Sequence, residues 1–118
     1  MFSISKRFEF SASHRLEGLP EDHQCARLHG HNYVIEVELR SNNLNNTGFV
    51  QDYGEFDKIK QFIDNNLDHR HLNDVFTNIN PTSELIAQTL YMMFEGEYEL
   101  LSAVRVSETP KTWAEYRP

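Results

Sequence analysis

The sequence predicts an α+β fold: an antiparallel four-stranded sheet with two helices packed on one of its faces, in the order ββααββ. Three observations carry this. Two segments of alternating polarity open the chain, two segments with apolar residues at helical spacing follow, and two more alternating segments close it. Strands on either side of a helix pair pack as one sheet with both helices on the same side. Such a sheet leaves two open edges, which predicts that copies of the chain associate to cover them.

The first strand lies in "FSISKRFEFSASH", where Ile4, Phe8, Phe10, Ala12 and His14 share one face and Ser5, Arg7, Glu9 and Ser11 the other. "RLEGLPEDHQCAR" carries Gly18 and Pro20 and reads as a connecting loop. "HNYVIEVELR" alternates again, with Tyr33, Ile35, Val37 and Leu39 facing one way and Glu36, Glu38 and Arg40 the other. "SNNLNNTG" is a turn cluster. From Asp52 as N-cap, "DYGEFDKIKQFIDNN" spaces Phe56, Ile59, Phe62 and Ile63 as a helix. "LDHRHLND" is a loop or helix end. "PTSELIAQTLYMMFEGEY" is the second helix, begun by Thr82 or Ser83 after a proline and stopped near Gly96. "LLSAVRVSETPKTWAEY" reads as two strands about a Pro-Lys turn.

At 118 residues the chain is expected to be one domain, 1–118, with a core of its own. Its 39% hydrophobic and 25% charged residues are ordinary for a soluble globular protein. With 11 basic against 18 acidic residues the formal charge is −7, and no long basic run exists, which argues against a nucleic-acid partner. An anionic small molecule stays possible, because a few local cations outweigh a distant net charge. No apolar run approaches the roughly 20 residues of a membrane span, and "MFSISKRFEF" lacks a signal peptide's apolar stretch, so a cytoplasmic protein is expected. The single cysteine excludes an intrachain disulfide and agrees with a reducing compartment.

Chemistry concentrates in four places. In "CARLHGH", His29 and His31 stand two apart on a strand and so present both imidazoles to one side, the side of Tyr33 and Ile35. His14 ends its strand on the face of Phe8 and Phe10, so a hairpin brings three neutral imidazoles together, the donor set of an open, catalytic zinc site. Cys25 has three readings: a fourth ligand that closes the site, a free thiol of lowered pKa that moves protons, or a small buried side chain. In "LDHRH", Asp68 can orient His69, or both can decorate a helix C-terminus. Glu108 has the parity of Val104 and Val106, so a carboxylate closes an apolar strand face. It needs a partner there, such as a ligand with an amidine-like N–H pair, unless the strand frays and leaves it wet.

Taken together, "FSASH", "CARLHGHNY", "FVQDYGEF", "LDHRHLN", "NPTSE" and "VSETPKTWAEY" resemble, in order and across nearly the whole chain, the 6-pyruvoyl- and 6-carboxytetrahydropterin synthase family of the tunnelling fold. The resemblance implies zinc bound by His14, His29 and His31, and a catalytic group of Cys25, Asp68 and His69. It implies that Glu108 anchors a pterin ring, with Thr82 and Ser83 at the family's threonine-rich pterin site. It also implies an active site between subunits, in trimers that close their sheets into a β-barrel and commonly stack as hexamers. The C-x-x-x-H-G-H spacing is similar to the 6-carboxytetrahydropterin synthase branch of queuosine biosynthesis. The implied reaction converts 7,8-dihydroneopterin triphosphate to 6-carboxy-5,6,7,8-tetrahydropterin, with loss of acetaldehyde and triphosphate. Arg27, with Arg15 and His23, is a candidate triphosphate contact. Two other readings stay open: a pyruvoyl-type or aldolase-like enzyme of the same fold, and a non-catalytic structural-zinc module closed by Cys25.

Overall fold

A computed structural model describes all residues, Met1–Pro118. Strands β1 (Phe2–His14) and β2 (His29–Ser41) pair antiparallel along their whole length, from Phe2 opposite Ser41 to His14 opposite His29. The alternation read from the sequence decides which side is dry. Phe8, Phe10, Ala12 and His14 are buried, as are Tyr33, Ile35, Val37 and Leu39, and the cross-strand partners Phe10 and Tyr33 stack with ring centroids 5.0 Å apart.

Helices α1 (Asp57–Asn66) and α3 (Ser83–Phe94) cover that side. Ile59 and Ile63 from the first, and Ile86, Ala87, Leu90, Tyr91 and Phe94 from the second, join the same buried cluster as the strand residues. Thr82 is the N-cap of α3, its hydroxyl accepting the Leu85 N–H at 3.2 Å, and Gly96 lies just past the helix end. Asp52 does not cap α1. Its carboxylate accepts the Gly54 N–H at 2.8 Å and starts a 3₁₀ turn over Tyr53–Phe56, so α-helical geometry begins only at Asp57.

Strands β4 (Leu101–Thr109) and β5 (Thr112–Tyr116) flank the Pro110–Lys111 turn. The four-stranded, wholly antiparallel expectation needs correction. "LDHRHLND" contributes a fifth strand, β3 (Arg70–His71), and a one-turn helix α2 (Leu72–Val75), and β3 runs parallel to β1 in a mixed sheet of order β3-β1-β2-β4-β5. The cause is an anchor between distant residues. The Ser11 N–H donates to Asp68 Oδ1 at 3.0 Å and the His69 N–H donates to the Ser11 carbonyl at 2.6 Å, laying residues 70 and 71 along β1.

Two features of the sheet shape the site. First, β2 and β4 pair only from Val34–Ser107 to Leu39–Leu101, and the β4–β5 register shifts between Val106 and Thr109. Beyond Val34 the strands part, leaving a fork between the histidine end of β2 and the β4–β5 hairpin. Second, β3 covers β1 only at Ala12 and Ser13, so most of the outer edge of β1 has no strand partner, and β5 is the opposite edge. The sheet face away from the helices is polar. There Glu38, buried despite its charge, meets Arg40 and Arg117 at 2.7 and 2.9 Å, together with Arg105 and Ser102.

Candidate active site and metal centre

Because His14 and His29 are cross-strand partners and His31 follows two residues later on the same face, the three imidazoles meet at the end of the hairpin. Their ring centroids lie 4.5 to 5.0 Å apart, and one nitrogen from each falls within 4.8 Å of the others. Hydrogen bonds at the far side of two rings settle their tautomers. His14 Nδ1 lies 2.9 Å from the Pro81 carbonyl and His29 Nδ1 lies 2.6 Å from the Arg27 carbonyl. A carbonyl only accepts, so both Nδ1 atoms carry the hydrogen, and in the neutral rings both Nε2 atoms present lone pairs. Those two Nε2 atoms face one another at 2.9 Å, and the buried His31 Nε2 has no hydrogen-bond partner. Lone pairs converging in this way repel unless a cation sits among them, so the donor set fits a metal ion held by the three imidazoles.

Electrostatics support the same state. Burial lowers the pKa of His14, and the positive character of its histidine neighbours adds to this, while the Pro81 carbonyl and Glu108 act against it. Burial likewise lowers the pKa of His31. Both groups are therefore biased towards the neutral form a metal requires. Tyr33, fully buried under the cluster, places its hydroxyl 3.1 Å from His14 Nδ1, and burial raises its own pKa.

The fork holds a cleft of about 840 Å³ whose walls include His31, Asp68, Glu108 and Trp113. Glu108 lines it because β2 has already left β4 and the β4–β5 register shift leaves the residue without a partner in β5. It is held all the same. Ser83 Oγ donates to Glu108 Oε1 at 2.7 Å, and Glu108 Oε2 lies 3.5 Å from His31 Nε2. The strand therefore does not fray there, and Oε2 stays available for a ligand. Ser83 reaches the carboxylate from the first residue of α3, while the Thr82 hydroxyl is engaged on the helix end.

A second cleft, about 480 Å³, adjoins the first and shares Ser11, Gly30, His31 and Asn32 with it. His69 lines it, whereas Asp68 faces the first cleft. His69 Nδ1 lies 2.9 Å from Asp68 Oδ1, so the neighbours do face one another. They can because His69 takes φ 58°, a left-handed conformation uncommon for a side-chain-bearing residue, which its bond to the Ser11 carbonyl holds in place. The Ser11 N–H, followed by His69, holds the Asp68 carboxyl below its ordinary pKa and so keeps it ionised. Gly30 lines both clefts between the two histidines.

Cys25 sits apart from the histidine cluster, half-buried in the turn Gln24–Ala26 of the connecting loop, and lines neither cleft. Arg27 closes that turn. Its carbonyl orients His29, but it lines neither cleft. Sequence reading missed Tyr33 and Pro81 as partners of His14, and Ser11 as the anchor of the Asp68–His69 pair. Two of these three act through backbone atoms, which no residue type advertises.

A sequence model of the family described as 6-pyruvoyl tetrahydropterin synthase matches residues 3–118. The chain is 34% identical to the 6-carboxy-5,6,7,8-tetrahydropterin synthase of Synechocystis sp., over 98% of this chain and 93% of that protein. It is 32% identical to the protein of the same name from Rickettsia felis, over 98% and 99% of the two chains. Among solved structures, the 6-pyruvoyl tetrahydropterin synthase of Caenorhabditis elegans superposes with a TM-score of 0.86 at 28% identity, covering 99% of this chain and 95% of that one. The chain belongs to the 6-pyruvoyl tetrahydropterin synthase family.

Proposed function

We propose that residues 1–118 form one synthase domain that, with zinc, converts 7,8-dihydroneopterin triphosphate and water to 6-carboxy-5,6,7,8-tetrahydropterin, acetaldehyde and triphosphate, as a cytoplasmic step towards queuosine. The observation that carries this is the convergence of three imidazole nitrogens beside a cleft closed by a held but unsaturated carboxylate. The 6-carboxy product is favoured over the pyruvoyl one by the names of the relatives from Synechocystis and Rickettsia.

Bound by His14, His29 and His31, zinc would supply Lewis acidity to the hydroxyls of the substrate's side chain. Glu108 binds the N–H edge of the pterin, with Ser83 holding one of its oxygens so that the other points into the cleft. Thr82 starts the helix that delivers Ser83, and Arg27 serves the triphosphate. Asp68 orients His69, which takes and returns a proton in alternation with the Cys25 thiol. Cys25 lines neither cleft of a single chain, and in this reading the site is completed where copies meet. The free edges of β1 and β5 support a trimer that closes its sheets into a barrel, stacked as a hexamer.

Incubating the zinc-loaded protein with 7,8-dihydroneopterin triphosphate and identifying the products by mass tests the proposal. A 6-carboxy product with an equivalent of acetaldehyde is expected. A 6-pyruvoyl product, or no turnover at all, overturns it.

A further inference from the structure

Two asparagines in the motif stretches "LDHRHLN" and "NPTSE" have no part in the chemistry above, yet each grips the backbone of a distant residue at both of its polar groups. Asn73 Oδ1 accepts the Arg15 N–H at 2.9 Å while its Nδ2 donates to the Arg15 carbonyl at 2.8 Å. Asn80 does the same to Glu17, with Oδ1 accepting at 2.9 Å and Nδ2 donating at 3.1 Å. A carboxamide carries the donor and acceptor of a peptide unit, so each side chain stands in for one residue of a strand. The register agrees. Ala12 pairs with Arg70 and Ser13 with His71, and Arg15 with Asn73 continues the same ladder after the chain has turned into α2.

Arg15 and Glu17 are two apart, so both turn their polar groups to the asparagine side, and Leu16 between them turns the other way. There the Leu16 N–H donates to the Cys25 carbonyl at 2.9 Å. The stretch from 15 to 17 is thus held on both edges, by asparagines on one and by the cysteine turn on the other. It begins at the residue after His14, whose own ring is fixed by the carbonyl of Pro81, the neighbour of Asn80. His14 and the Cys25 turn are therefore braced by the same few residues.

We propose that Asn73 and Asn80 are positioning residues that set where the Cys25 thiol stands relative to the histidine centre. The inference rests on the reading of Cys25 as an acid–base group of the site. Near-attack geometry is sensitive to displacements of about 1 Å, so releasing the turn should lower kcat while the pterin contacts of Glu108 keep KM.

Asn73→Asp and Asn80→Asp keep shape and acceptor but lose the N–H donor and place a charge against a carbonyl. For each, the rate of Cys25 alkylation by iodoacetamide, kcat, KM and zinc content are measured, with Asn78→Ala as a neighbouring control. Alkylation about 10-fold faster and kcat about 10-fold or more lower, with KM and zinc unchanged, are expected. A lower melting temperature with unchanged alkylation and kcat would make the asparagines merely structural and overturn the proposal. Amide exchange on the unaltered protein requires no variant to fold: slow exchange at Arg15, Leu16 and Glu17 is expected, and exchange at loop rates overturns the clamp. Cys25→Ala separates the two readings. If it keeps full turnover while the aspartate variants still speed alkylation, the thiol's catalytic role fails and the clamp stands.

Discussion

Replacing Glu38 by glutamine removes the carboxylate that Arg40, Arg105 and Arg117 share on the open face of the sheet. Burial by itself would raise its pKa, but hydrogen bonds from Arg117, Arg105 and Ser102 outweigh burial and hold it at about 2 against an ordinary 4.5. A fall from 4.5 to about 2 corresponds to about 3 kcal/mol of stability at neutral pH. The side chains of Arg105 and Arg117 keep 20% and 30% exposure, so water screens part of this and the expected loss is about 2 kcal/mol. The sign follows from the lowered value. The contribution is complete above pH 4.5 and is lost as the pH falls towards 2, so the gap between wild type and Glu38→Gln closes across that window. Urea unfolding followed by circular dichroism, at matched protomer concentration, measures the gap at several pH values. A gap below about 0.5 kcal/mol near neutrality, the size of an ordinary surface pair, would refute the reasoning, as would a gap that stays constant down to pH 2.

His31→Ala should strip the metal, because two imidazoles cannot replace three. A full complement of zinc by elemental analysis would show the ligand set to be wrong. Glu108→Gln should weaken substrate binding strongly while zinc content and fold stay intact, since an amide lacks the charge-assisted acceptors for the pterin edge. Unchanged affinity in direct titration would make Glu108 a bystander between Ser83 and His31. Sedimentation should show a trimer-based assembly that covers the free edges of β1 and β5, and a stable, active monomer would contradict it.

The long elements were legible because period-2 and period-3.6 patterns are strong over ten or more residues. The parity that buries Tyr33 and Ile35 also places His29 and His31 side by side, so the histidine cluster came with the strand. β3 was not legible. Two residues carry no pattern, and their place is set by Asp68 reaching Ser11 across 57 positions. Alternation placed Glu38 on the polar face, and its burial there comes from the arginines arriving from β4 and the C-terminus, which no strand pattern shows. The carbonyls of Pro81 and Arg27, which fix the histidine tautomers, are invisible to any reading of side chains. Cys25 stayed ambiguous because a loop cysteine four residues before a ligand can reach the metal or stand clear, and only the folded turn Gln24–Ala26 puts it outside the cluster.

A metal held by three histidines, with a thiol that acts without ligating it, is the centre of this account, and Cys25→Ala tests it on one purified sample. Zinc content and melting temperature should match the wild type while product formation falls by about 10²–10⁴-fold, the scale of a missing acid–base group. Zinc lost in parallel with activity and stability would instead make the thiol a fourth ligand of a closed site, and would contradict the account.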